Sequence, residues 1–169
     1  MAMVLLLGGA RSGKSAMAVR LASASRTPVT FIATAVAGDE EMAERIRVHR
    51  AGRPASWKTL EAPIDLVGAI RSTAATDFVV VDCLTLWVSN LLGEGAGSAG
   101  VDAAAKEALT ALASRDSVVV TNEVGLGIVP VNELARNFRD VLGSVNSRFA
   151  ESADRALFMV AGRALELPR

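Results

Sequence analysis

Gly8-Gly9-Ala10-Arg11-Ser12-Gly13-Lys14-Ser15 fits the G-x-x-x-x-G-K-[ST] phosphate-binding pattern at every fixed position. The apolar run before it, Met3-Val4-Leu5-Leu6-Leu7, predicts a buried strand. Behind it, Ser15 to Ala24 predicts a helix with Met17, Leu21 and Ala24 on one face. Gly8 and Gly13 let the backbone curl until successive N–H groups point into one concavity. The helix starting near Gly13 adds its unpaired N–H groups and the positive end of its dipole. In this arrangement Lys14 reaches the outer phosphates and the Ser15 hydroxyl ligates Mg²⁺. The plain alternative is a glycine-rich turn between any strand and helix, and both flanks argue against it. The expectation is a chain that binds a nucleoside triphosphate.

Composition narrows the class. With 169 residues, 51% hydrophobic and 21% charged, the chain is expected to be one globular domain over 1–169. Eighteen basic residues balance eighteen acidic ones without a block of like charge, which argues against nucleic acid or an anionic membrane as the main partner. No apolar run approaches the roughly 20 residues of a spanning helix. Met1 to Leu7 lacks a basic leader and runs straight into the phosphate loop, against a cleaved signal. Cys83 is the only cysteine, so no internal disulfide forms and a cytoplasmic location is expected.

Val29 to Ala35 predicts a second strand, whose end at Thr34 and Ala35 is a candidate pocket rim because ligands of open α/β sheets lie beyond the carboxyl ends of strands. Asp39 through Arg50 predicts a helix with acids in its first turn. There Met42, Ile46 and His49 fall at i, i+4, i+7, so His49, the only histidine, is expected to face the protein body. Two readings of His49 stand side by side. A histidine in a last turn complements the helix dipole; with Arg45, Arg47, Arg50 and Arg53 it also forms a basic corner suited to phosphate oxygens.

Trp57 to Glu61 reads as extended, and Pro63 to Ser72 as a helix with Pro63 in its first turn. Phe78-Val79-Val80-Val81-Asp82 is an apolar strand ending in an acid, the arrangement that holds Mg²⁺ opposite the phosphate-loop serine. An apolar helix from Thr85 comes next, and Gly93 to Gly100 reads as a mobile surface loop. Val101 to Ser114 is helical and Ser117 to Asn122 a strand. Asn122 and Glu123 at that strand's carboxyl end, leading into the glycine-bearing loop 124–130, are a further site candidate. Leu134 to Phe149 reads as one helix, or two broken at Gly143, and Arg155 to Ala161 as the last strand. Strands alternating with helices predict an α/β P-loop NTPase fold of the RecA-like kind, a mostly parallel sheet with helices on both faces.

A guanine-reading N-K-x-D motif is absent, which argues against a signalling GTPase. A small-molecule kinase or nucleotidyltransferase fits the size and charge, and a nucleotide-sensing module without transfer is the third class. The chain resembles the bifunctional adenosylcobinamide kinase / adenosylcobinamide-phosphate guanylyltransferase family of cobalamin biosynthesis. The resemblance spans nearly the whole chain and is carried by the phosphate loop, Phe31 to Ala35, Arg45 to Pro54, Trp57 to Glu61, Asp82 to Thr85, Asn90 to Leu92, Thr121 to Pro130, Leu134 to Arg136 and Phe138 to Asp140. It implies two reactions: phosphorylation of the aminopropanol hydroxyl of adenosylcobinamide by ATP or GTP, then guanylylation of that phosphate by GTP through a guanylylated His49. It also implies nucleotide contacts from Ala33, Thr34, Ala35, Arg50, Ala51, Gly52, Arg53, Glu61 and Asp82. Glu61 and Asp82 are then placed to recognise the nucleoside instead of, or besides, the metal. Some members carry a second histidine where this chain has Val48, which leaves His49 as the sole imidazole nucleophile. Others carry Glu at the position of Asp82. A homo-oligomer, specifically a trimer with the site near a subunit boundary, is the family expectation.

Overall fold

A computed structural model describes residues 2–169. Its seven strands form one sheet in the order β3-β2-β4-β5-β1-β6-β7. The strands are β1 (Met3–Gly8), β2 (Val29–Ala33), β3 (Lys58–Glu61), β4 (Phe78–Asp82), β5 (Ser117–Val120), β6 (Arg155–Val160) and β7 (Arg163–Leu167). All neighbours pair in parallel except β6 and β7, which form an antiparallel hairpin. The helices are α1 (Lys14–Ser23), α2 (Glu40–Ala51), α3 (Leu66–Arg71), α4 (Leu84–Gly93), α5 (Ser98–Leu112) and α6 (Glu133–Ser152).

The period-2 pleat divides the strand residues between two cores. Leu5, Leu7, Ile32, Val79, Val81 and Val119 face one way, against α3, α4, α5 and α6, with Trp87 and Phe149 filling the centre. Leu6, Phe31, Val80, Val118 and Val120 face the other way, against Ala18 and Ala22 of α1. The helices are therefore shared unequally between the faces. Small alanines on α1 let that helix approach the sheet closely, just behind the phosphate loop.

Register does the rest. Glu61, Ala33, Asp82, Val120 and Leu6 lie in one row across the sheet, so the carboxyl ends of five parallel strands share a single edge. Residues far apart in the chain become neighbours along that edge.

Several expectations need correction. Helix α3 starts at Leu66, not Pro63, because the Asp65 carboxylate caps it by accepting from Gly68 N at 2.8 Å. The expected loop Gly93–Gly100 is half helix: α4 continues to Gly93 and α5 already begins at Ser98, anchored by buried Val101, so the connection is only residues 94–97. Helix α6 runs unbroken through Gly143 for 20 residues. Strand β7 was not foreseen at all. Finally, α2 has no buried residue, and His49 is exposed; the Met42–Ile46–His49 face does not enter the core.

Candidate active site

The phosphate loop leaves β1 at Gly8 and enters α1 at Lys14. Gly8 has φ +148 and Gly13 has φ +97, conformations that side chains rarely adopt. A Cβ on Gly8 would lie 2.4 Å from Met159 O of the neighbouring β6. Gly9, Ala10 and Arg11 are exposed, whereas Ser12 and Lys14 are buried. Lys14 Nζ donates to Gly8 O at 2.8 Å and Gly9 O at 2.6 Å, so the ammonium is held within the curl of the loop. Burial lowers its pKa, opposed by the charges of Cys83 and Asp82.

Support for the loop comes from an unexpected place. Gly162 N donates to Ser12 O at 2.9 Å, and Gly162 Cα is the nearest atom to a Cβ built on Gly13, at 3.0 Å. The tight β6–β7 turn, with Ala161 at φ 50 and Gly162 at φ 78, thus braces the phosphate loop. Its signal in the sequence is Ala161-Gly162 ahead of the alternation in Arg163-Ala164-Leu165-Glu166-Leu167.

Asp82 stands at the tip of β4, and four other site residues converge on it. Desolvation pushes its carboxyl above the usual range, and the charges of His49, Arg53 and Lys14 and the Ser15 hydroxyl pull it back. The two hard oxygen groups, Ser15 Oγ and the Asp82 carboxylate, face one another across the loop mouth. That donor set suits Mg²⁺, which takes one or two protein oxygens and completes its shell with phosphates and water. Among the described residues no cluster of three or more His, Cys, Asp or Glu forms a self-sufficient metal cage.

The basic corner sits over the same edge. Arg53 lies with its guanidinium carbon 3.4 Å from the centroid of the Phe31 ring, which orients the planar group. Burial lowers the Arg53 pKa, opposed by Asp82 and reinforced by Arg50. Arg50 Nη1 is 3.9 Å from Glu61 Oε1, both side chains being largely exposed. Ala51 closes α2 and Gly52 caps it, exposed like the rest of that helix end. Ala33 and Ala35 are partly open at the strand end.

Thr34 is different. It is fully buried, and its hydroxyl donates to Cys83 O at 2.7 Å and accepts from Cys83 N at 2.8 Å. Its side chain holds the β2 exit to the β4 exit and has no free face toward a ligand. Asn90 extends the brace, donating from Nδ2 to Thr34 O at 2.9 Å and Pro63 O at 3.0 Å. Asparagine on a mostly apolar helix is the one sequence signal for this role.

A parallel sheet with a phosphate loop at one strand's carboxyl end and an acid at another's defines a P-loop NTPase. Solved structures share the fold: the RadB recombinase superposes with TM-score 0.54 at 16% identity over 93% of this chain and 73% of that one. The P4 protein of bacteriophage phi6, solved with ADP, gives 0.51 at 19% over 97% of this chain and 54% of that one. The chain belongs to the cobinamide kinase / cobinamide phosphate guanyltransferase family, whose model matches residues 4–167. It is 48% identical over 166 residues to the bifunctional adenosylcobalamin biosynthesis protein CobP of Pseudomonas aeruginosa, covering 96% of this chain and 95% of that one. It is 41% identical over 175 residues to CobU of Salmonella typhimurium, a protein of the same description, covering 95% and 96%. The family is one of kinases and guanylyltransferases of cobalamin biosynthesis.

Proposed function

We propose that this single P-loop domain phosphorylates the aminopropanol hydroxyl of adenosylcobinamide and then transfers GMP from GTP to the resulting phosphate through a guanylylated His49. The observation that supports this reading is the basic end of α2 at the phosphate-loop edge, with Arg53 held on the Phe31 ring, and with desolvation of the Asp82 carboxyl at the β4 tip opposed by the charges of His49, Arg53 and Lys14.

In the guanylylation step a neutral imidazole nitrogen attacks the α-phosphorus of GTP, and the bond to the pyrophosphate oxygen breaks. Arg53 and Arg50 receive the charge gathering on the phosphate oxygens, with Arg53 pre-oriented by Phe31. An oxygen of adenosylcobinamide phosphate then attacks the same phosphorus, the N–P bond breaks, and His49 returns to its starting state. Backbone N–H groups of residues 8–15 and Lys14 hold the triphosphate during both transfers. Ser15 and Asp82 are the residues that hold Mg²⁺, which neutralises phosphate charge when bound. Glu61, beside Arg50 at the β3 tip, and Ala33 to Ala35 border the nucleoside, Thr34 through its backbone.

The assembly proposed is a cytoplasmic homotrimer. Support comes from apolar side chains left in solvent in the segment after β5, including Leu126 at 81%, Ile128 at 97% and Val131 at 98% exposure. The second reading, a kinase with a single activity, is favoured by the exposure of His49 at the C-terminal end of α2.

Incubation with α-labelled GTP and Mg²⁺ tests the proposal. Acid-labile, alkali-stable label on the protein is expected, absent in His49→Ala and in Lys14→Ala. Label that persists in His49→Ala overturns the nucleophile, and normal kinase turnover in Lys14→Ala overturns the shared loop.

A further inference from the structure

Transfer of a γ-phosphoryl group to an alcohol needs somewhere for the hydroxyl proton to go. Asp82, at the β4 tip, is poorly suited, because it is the acid that suits the metal opposite Ser15 and the charges of His49, Arg53 and Lys14 act on it. Glu61 sits at the far β3 edge beside Arg50. Strand β5 lies between β1 and β4, so the chain leaving β5 emerges between the phosphate loop and Asp82. The first carboxylate there is Glu123.

Its backbone is tied to the loop itself, Glu123 N donating to Gly8 O at 3.2 Å. The residue before it is fixed by a buried polar network. Asn122 N donates to Thr85 Oγ1 at 2.7 Å, and Asn122 O accepts from Asn146 Nδ2 at 3.0 Å. Asn146 Oδ1 in turn accepts from Thr121 Oγ1 at 2.7 Å, and Thr85, Thr121 and Asn146 are all buried. A polar network of this kind, placed in the core directly under one acid, is the support that a reacting group requires. The half-buried carboxylate takes one hydrogen bond to its own loop, from Gly125 N to Oε1 at 2.5 Å, and makes no ion pair among the described residues. One oxygen is thus oriented while the other keeps its lone pairs, with no cation to compete for them.

We propose that Glu123 is the general base of the kinase step. Its free oxygen takes the proton of the acceptor hydroxyl as the new O–P bond forms and the bond from the γ-phosphorus to the bridging oxygen breaks, releasing a nucleoside diphosphate. The inference rests on the kinase reading of the phosphate loop. Guanylylation of His49 uses no acceptor hydroxyl and has no need of this carboxylate.

Glu123→Gln is the informative variant, because the amide oxygen still accepts from Gly125 N and the loop geometry is kept. Kinase turnover with ATP and cobinamide is expected to fall about 100-fold or more. Labelling of the same variant by α-labelled GTP is expected to stay within about twofold of wild type, and Glu123→Asp is expected to recover part of the kinase rate. Turnover of Glu123→Gln within about threefold of wild type overturns the proposal. An equal loss of turnover and labelling also overturns it, since that marks a distorted phosphate loop. Failure of the kinase reading itself is separately visible as wild-type protein that forms no phosphorylated cobinamide.

Discussion

Thr34 and Cys83 bond to each other in both directions, the Thr34 hydroxyl donating to Cys83 O at 2.7 Å and accepting from Cys83 N at 2.8 Å. The pair staples the β2 exit to the residue after Asp82, so the position of the site acid depends on a side chain no ligand touches. Thr34→Val keeps the shape and leaves the buried Cys83 N–H unpaired, while Cys83 O still accepts from Trp87 N at 3.2 Å. A loss of about 1–3 kcal/mol in urea unfolding is expected, together with weaker GTP binding. Thr34→Ser, which retains the hydroxyl, is expected to behave nearly as wild type. Equal stability of the valine variant would show that the Cys83 peptide finds other partners.

Gly8 and Gly9 are neighbours with opposite tolerances. A Cβ on Gly8 meets Met159 O at 2.4 Å in a backbone conformation unsuited to alanine, while nothing lies within 4 Å of one on Gly9. Gly8→Ala is expected to lower Tm and abolish nucleotide binding; Gly9→Ala is expected to fold with wild-type Tm. Isothermal titration with GTP on both variants checks the pair, and a tight-binding Gly8→Ala would mean that β6 yields.

Ala161 holds φ 50 in the β6–β7 turn, a conformation that asparagine or glycine adopts more readily. Ala161→Asn is expected to stabilise the protein by about 0.5–1 kcal/mol without loss of turnover. A decrease in Tm would show that the alanine methyl contributes packing that outweighs the strain.

Asp102 joins α5 to α6, taking hydrogen bonds from Lys106 at 2.8 Å and from Arg148. The Lys106 hydrogen bond is the main cause that holds its carboxyl below the ordinary value of 3.8; desolvation opposes it, and Arg148 lowers it further. A depressed carboxyl stabilises the fold fully above its unfolded value, and this contribution fades as pH falls through the lower folded value. Asp102→Asn should therefore have a lower Tm than wild type at pH 7, with the gap closing below about pH 4. A gap independent of pH would assign the effect to packing.

What the sequence made legible was local and cooperative. The phosphate loop, β1 before it and Asp82 at the end of β4 each follow from a few adjacent residues, and all stand where expected. Glu61, His49 and the arginines were foreseen as residues, but periodicity misjudged how they are displayed. Helix α2 lies outside the core, so its Met42–Ile46 spacing reports no buried face. The Pro63 start failed because a capping aspartate two residues later fits the first turn better than proline did. Gly93–Gly100 failed in the opposite sense, since the packing of Val101 draws glycine and serine into helix. Strand β7 escaped notice because it is a five-residue, fully exposed edge strand, signalled only by the Ala161-Gly162 turn and a brief alternation after it. The polar network beneath Glu123 joins residues 85, 121, 122 and 146, a grouping that only the fold brings together.

The bracing of Ser12 by Gly162 bears on how the molecule is made. Strand β1 pairs with β5 and β6, and the turn that closes against the phosphate loop comes after β6. The nucleotide-binding element is therefore translated early but has neither lateral partner until more than two thirds of the chain exists. On the ribosome, the glycine loop waits as an unpaired, apolar-flanked strand while β2, β3 and β4 can already associate. The braced form of the loop is complete only once the β6–β7 turn, some 150 residues further along the chain, has closed against Ser12.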